Sequence, residues 1–290
     1  MAHTETSLQE FLERSDPPDS PPQILYPVFS SHDNFTFQTA LNIAKGAGAE
    51  LLVLDLLTDA GLETAETSRT SRELLQENLN EGHTVDAHLI VEETNSPLKT
   101  AVRVAKQRTI QLAVLDEHTP ELFAEGVRGD AADRMRKKAS CDVVSVIYPR
   151  AGPRVASVLV PVAEGNHCGL GVITGGALGV GADAPVDLFH VSEDKTEAEV
   201  TRVEELFETA KKRLPESVEL DTWHLEAPDV AEAIINESAH YDVTVIGKPT
   251  QRSLLEFVTG SITASVTEES ENAVLTVQRN GGAGFSFEER

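Results

Sequence analysis

The sequence predicts an α/β protein: two doubly wound, five-stranded parallel sheets in one chain, paired as a pseudo-dimer. Three observations carry this expectation. Short, β-branched apolar runs alternate with helical stretches along the chain, as expected of strands buried on both faces and joined by crossover helices. The chain also repeats itself, since Leu112–Ile147 lies over Val243–Gln278 without gaps for 36 positions at a constant offset of 131. Finally, 290 residues suit two domains of roughly 150. Two copies give two domains, whereas a solenoid needs three or more units.

In the first half, strands are expected near Ile24–Phe29, Leu51–Leu57, Thr84–Val91, Leu112–Asp116 and Val143–Tyr148. Helices are expected near Phe35–Ala47, Leu62–Glu81, Pro97–Arg108 and Gly129–Ala139. In the second half the strands fall near Val155–Val162, Val186–His190, Val218–Trp223, Val243–Gly247 and Ala273–Gln278. The helices there fall near Gly169–Gly179, Lys195–Arg213, Asp229–Ala239 and Gly260–Ser270. The glycine pairs Gly46-x-Gly48 and Gly179-x-Gly181 do not continue as GxGxxG, and are expected to end helices. No Walker A pattern is present. The parts are expected to be a flexible N-terminal segment over 1–22, domains over 23–150 and 151–279, and a disordered tail over 280–290. Within the first segment, Leu8, Phe11 and Leu12 share one helical face, which either docks or folds back.

Lys and Arg number 24 against 48 Asp and Glu, a net charge of −24. That weighs against nucleic acid as a partner, because such binding rests on cationic contacts to phosphates. The longest apolar runs fall far short of the roughly 20 residues that span a bilayer, and the acidic N-terminus lacks a secretory apolar core. Two cysteines, Cys141 and Cys168, build neither a disulfide framework nor a zinc site, so a reducing cytoplasm is expected. Nine lysines and 5% aromatics beside so many carboxylates point to a surface adapted to high salt, where self-repulsion is screened.

In open parallel sheets, ligands sit beyond the carboxyl ends of the strands at the switch point. The residues there carry a resemblance. ILYPV and VLVPV as first strands, VTVIG as a fourth strand, a loop of about twelve residues, and Gly260-Ser261 opening a helix before a last apolar strand resemble the universal stress protein family over residues 23–279. The resemblance implies two copies of the adenine-nucleotide α-hydrolase-like fold. It also implies a phosphate cradle of the form G-x2-G-x9-G-[ST] and an Asp after the first strand that contacts nucleotide. In the second half the cradle positions are Gly247, Lys248, Thr250, Arg252, Gly260 and Ser261. Thr250 replaces the middle glycine, and a β-branched residue resists the close backbone approach a phosphate needs. Ala163 stands at the strand-one Asp position. In the first half the matching residues are Asp116, Thr119, Gly129 and Asp130, with Phe29 at the strand-one position. Asp130 places a carboxylate where a phosphate would sit, and at ~4 Å each like-charge contact costs on the order of 4 kcal/mol before screening.

Other polar pairs follow the first strands. His32-Asp33 and His167-Cys168 are candidates for a metal or nucleophile site, but neighbouring residues point apart and no third ligand has metal spacing. The resemblance thus implies a cytoplasmic, non-catalytic stress-associated regulator with nucleotide binding reduced or lost. The alternatives are an ATP or AMP sensor or weak ATPase working through the second half, and a regulatory module of a membrane transporter. Edge-to-edge pairing through Val143–Tyr148 and Ala273–Gln278 would join the two halves, or two chains as a homodimer.

Overall fold

The computed structural model describes residues 8, 12, 20–29, 33–57, 73, 77, 85–117, 131–139, 141–148, 154–248, 262–280 and 284–287. The chain divides into two compact units, one of Met1–Val144 with Asn280–Arg290 and one of Ser145–Arg279.

As far as residue 147 the chain runs β1 (Gln23–Val28), α1 (Asn34–Ala47), β2 (Glu50–Leu57), β3 (Ala87–Glu93), α2 (Pro97–Gln107), β4 (Leu112–Asp116), α3 (Ala131–Ala139) and β5 (Asp142–Ile147), the last of which passes from the first unit into the second after Val144. These strands order as β3-β2-β1-β4-β5. The second unit runs β6 (Val158–Pro161), α4 (Asn166–Ala182), β7 (Val186–Ser192), α5 (Glu197–Lys211), β8 (Leu220–Glu226), α6 (Val230–Ser238), β9 (Val243–Gly247), α7 (Ile262–Glu269) and β10 (Ala273–Gln278). Its strands order as β8-β7-β6-β9-β10, the same winding. The parallel registers of β1 with β2 and β4, and of β6 with β7 and β9, place a switch point between the first and fourth strands of each unit. The strands keep the offset of the sequence match: β4 and β9 start 243 − 112 = 131 residues apart, and β5 and β10 start 273 − 142 = 131 apart. None of the described helices is long and apolar enough to cross a membrane.

The central strands are buried along their length, with every residue of β1 and β6 covered. The second unit's Leu159, Phe189, Ile246 and Val274 pack under α6 and α7. On one face of the first unit Leu25, Leu52, Leu54 and Ile90 pack with Leu98, Val104 and Met135 of α2 and α3. Leu8 joins that cluster at 4% exposure with Leu12 against it. These are two of the three residues expected to share a helical face, since residues four apart on a helix lie on one side. Within the expected tail over 280–290, Asn280 and Phe285 meet Asp142. Asp142 Oδ1 accepts from the Asn280 amide at 2.8 Å and Oδ2 from the Phe285 amide at 2.9 Å, and the Phe285 ring is fully buried.

Two helix ends differ in kind from each other. Asp33 caps α1, its side chain accepting from the Thr36 amide at 2.6 Å, and Gly48 ends it at φ 66°, as a C-terminal glycine should. The expected stop at Gly179-x-Gly181 does not occur. α4 continues to Ala182 and Asp183 takes the left-handed turn at φ 58°. Gly175 and Gly179 face the sheet instead: a Cβ there would stand 2.4 Å from Val160 Cγ2 and 2.3 Å from Val186 Cγ2. These glycines let the helix lie close to β6 and β7. The helix expected over Leu62–Glu81 lies outside the described residues, except for the helical Glu73 and Glu77.

Candidate functional site

In the second unit a cleft of about 360 Å³ opens beyond the carboxyl ends of β6, β7 and β9. This is the place the winding predicts for a ligand. Its floor is apolar, with Phe189, Ile234 and Ile246 among the lining residues, and His167, Cys168, His190, Lys248 and Thr263 supply polar groups.

Of the six expected cradle residues, Gly247 and Lys248 line this cleft. Thr250, Arg252, Gly260 and Ser261 lie outside the described residues, as do Thr119, Gly129 and Asp130 of the first half and His32. Gly247 has a packing reason to be glycine. A Cβ there would stand 2.9 Å from both the Cys168 nitrogen and the His167 carbonyl carbon, which are backbone atoms of the first turn of α4. Its carbonyl accepts from the Thr263 hydroxyl at 3.0 Å, and the Lys248 amide donates to the Val277 carbonyl at 2.9 Å. The strand-end backbone is therefore engaged within the protein.

His167 Nδ1 accepts from the Arg279 amide at 2.8 Å, which leaves its proton on Nε2 when the ring is neutral. Burial pushes the Cys168 thiol above its ordinary range, an effect that outweighs the backbone hydrogen bond at Ala163. A raised thiol is a poor nucleophile. In the first unit, Phe29 is buried at the strand-one position, while Asp116 and Glu117 stand at the end of β4.

The sequence reading missed a polar cluster beside the cleft. β7 and β8 pair in register with His190 opposite His224, and their ring centroids are 5.7 Å apart. The His190 Nδ1 proton goes to the Val162 carbonyl at 2.7 Å, so the neutral ring offers Nε2 to the Arg202 guanidinium at 3.4 Å. Ser192 donates to the Asp194 carbonyl at 2.8 Å and accepts from His224 Nε2 at 2.7 Å. Burial first, and then the Lys195 charge, hold the His224 imidazole below its usual range. Arg202 grips Glu199 through two bonds of 2.6 and 2.9 Å and reaches Glu164 at 2.9 Å. The hydrogen bonds from Arg202 hold the Glu199 carboxyl below the usual carboxylate range. The signal was there in part: His190 and Ser192 are two apart in a strand and so share a face, but only the strand register brings His224 to them.

Chemically, the cleft offers an apolar floor and polar rims, while Arg202, outside its lining, is already matched to two carboxylates. Compared with known proteins, the chain matches no protein-family model and no curated protein. Solved structures do match. A universal stress protein from Archaeoglobus fulgidus superposes with a TM-score of 0.55 at 17% identity, over 90% of this chain and 98% of that one. A putative universal stress protein from Pseudomonas aeruginosa gives 0.54 at 17% identity, over 89% and 93%. The cytoplasmic domain of a prokaryotic cation chloride cotransporter gives 0.59 at 11% identity, over 91% and 98%. The architecture is therefore the α/β fold of the universal stress proteins. The same fold also serves a transporter's cytoplasmic domain, so architecture alone does not separate those roles.

Proposed function

We propose that this is a non-catalytic regulatory protein of the universal stress protein type that acts through its surfaces, with nucleotide binding lost in the first unit and reduced in the second. One observation carries the reading: the backbone at the end of β9 is spent inside the protein, with Gly247 held against α4 and the Lys248 amide bonded to Val277. In the first unit, Asp116 and Glu117 add negative charge at the matching strand end. Calorimetric titration of the full chain in concentrated KCl with ATP, AMP and adenosine tests it. The expected ATP dissociation constant is weaker than about 1 mM, which corresponds to less than about 4 kcal/mol of binding, with no phosphate released. Micromolar ATP binding or turnover would overturn it. The acid-rich composition supports a salt-adapted protein, which should lose stability on transfer to dilute buffer.

A second reading is an AMP-type sensor or weak ATPase in the second unit. The cleft volume favours it, since about 360 Å³ falls at the small end of ligand pockets. Lys248 with Thr250, Arg252, Gly260 and Ser261 would then hold the phosphate. Ser261→Asp and Lys248→Ala should each weaken AMP at least tenfold while leaving adenosine unchanged. The reading as a transporter module rests on family analogy and on an N-terminal segment free to dock, and Leu8 and Leu12 of that segment pack in or against the first unit's core. Co-purification with membranes, with and without residues 1–22, tests what remains of it.

A further inference from the structure

β8 ends the strand order of the second unit, and no described strand lies beyond it. Its side chains alternate across the sheet, with Asp221, Trp223 and Leu225 exposed on one face. By register these stand beside Asp187, Phe189 and Val191 of β7, and Phe189 packs under α6. That cover does not reach β8. Trp223 is 58% exposed and Leu225 40%, and they are two of the three large apolar side chains in the open among the described residues. The first unit treats the same place differently. Ile90 of β3 holds the corresponding register position and is fully buried in one core cluster with Leu98 and Val102 of α2. The bare indole therefore belongs to this strand and not to the fold, and a bare apolar patch marks an interaction site.

Backbone and charge are both left over along this edge. The Val186 amide donates to the Glu219 carbonyl at 2.9 Å, and the Ala227 amide to the Ser192 carbonyl at 3.0 Å. Alternate residues of a parallel strand bond to the same neighbour. Asp221, Trp223 and Leu225 therefore bond to β7, while Leu220, Thr222, His224 and Glu226 turn their amides and carbonyls outward. The His224 carbonyl takes the exposed Lys195 ammonium at 2.6 Å, a guard of the kind that blunts sheet edges and that an incoming amide displaces. On the Trp223 face, the Tyr241 hydroxyl bonds to Asp187. Burial first, then Asp187, and then the charges of Glu237 and Asp221 push that hydroxyl above its ordinary range. Three carboxylates thus gather beside the indole. Among the described residues, no lysine or arginine pairs with any of them.

We propose that the outer edge of β8 binds an extended cationic segment of a partner protein, which adds as a strand and lays arginine or lysine side chains over Trp223 and beside Asp221. Main-chain bonds give such a strand its hold, alternate side chains give it specificity, and a guanidinium stacks well on an indole. A second copy of this chain would bring the same carboxylates and a net charge of −24, which repels it. The proposal rests on the reading of the protein as one that acts through its surfaces. Weak ATP binding without peptide binding would reject this partner and leave that reading standing. The probe is a synthetic peptide of alternating arginine and valine that spans the seven residues of β8, titrated into the full chain in KCl without nucleotide. Trp223 is the chain's one tryptophan, so its emission reports the contact and should move to shorter wavelength. Calorimetry should give at least tenfold weaker binding in Trp223→Ala, about threefold weaker binding in Asp221→Asn, and falling affinity as KCl rises. Both positions are exposed, so both variants should fold, which a thermal scan checks. A peptide of alternating arginine and proline keeps the charge, loses the amides that face β8, and should bind at least tenfold more weakly. No binding by the parent chain, equal binding of the two peptides, or equal binding by the parent and Trp223→Ala overturns the proposal. So does a dimer of the parent chain that Trp223→Ala abolishes in sedimentation, which would give the edge to a second copy.

Discussion

Replacing Gly247 by alanine separates two reasons for a glycine at the end of β9. In a phosphate cradle, glycine lets a ligand approach, and alanine would cost binding alone. Here the added Cβ meets two backbone atoms of α4 at 2.9 Å and the His167 carbonyl oxygen at 3.1 Å. Overpacking of this kind costs about 1–3 kcal/mol, and backbone cannot rotate aside as a side chain would, so the upper half applies. Alanine also narrows the unfolded ensemble, which returns about 0.4–1 kcal/mol. The net loss is then roughly 1–2.6 kcal/mol, or about 2–10 °C in melting temperature for a chain of this size. Denaturant and thermal unfolding in concentrated KCl, without nucleotide, measure it. A change within about 0.5 kcal/mol of zero, the range of an ordinary surface substitution, would refute the packing account and return Gly247 to the ligand.

Three further outcomes follow from the packing and the titrating groups. Leu8→Ala should destabilise the first unit by about 2 kcal/mol, the low end for a buried leucine, and unchanged unfolding would free the N-terminal segment for docking. Glu199 titrates below its ordinary 4.5 because Arg202 bonds to it, so its contribution to stability is complete above that value and is lost as pH falls through the depressed one. Acid unfolding of Arg202→Leu should lack this component, and identical acid limbs would contradict it. Burial pushes the Cys141 thiol up to about 12 and also raises that of Cys168. A disulfide reagent at pH 8 should therefore label the native protein slowly, Cys168 before the buried Cys141, and should label both at once in denaturant.

The strands were legible because a parallel strand covered on both faces is a near-continuous apolar run, as in LLVLDLL or VTVIG. The offset of 131 holds for the strands because the matched stretch of sequence has no insertion between β4 and β5 or between β9 and β10. What escaped depended on distance in the chain. Glycines read as stops, yet Gly179 serves the approach of α4 to Val186. His190 and His224 meet only through the register of β7 with β8. Phe285, in a short tail of glycines and polar residues, has a partner in Asp142 that lies 143 residues back.

That last contact bears on the order of events during synthesis. The carboxylate of Asp142 is 2% exposed and takes both of its oxygens' amide partners from Asn280 and Phe285. A ribosome that has finished the first unit's strands still holds the residues that seal this buried charge, and must translate the entire second unit before releasing them. The half that begins first is therefore completed last. Any attempt to express it alone as residues 1–150 would leave Asp142 without those two amides.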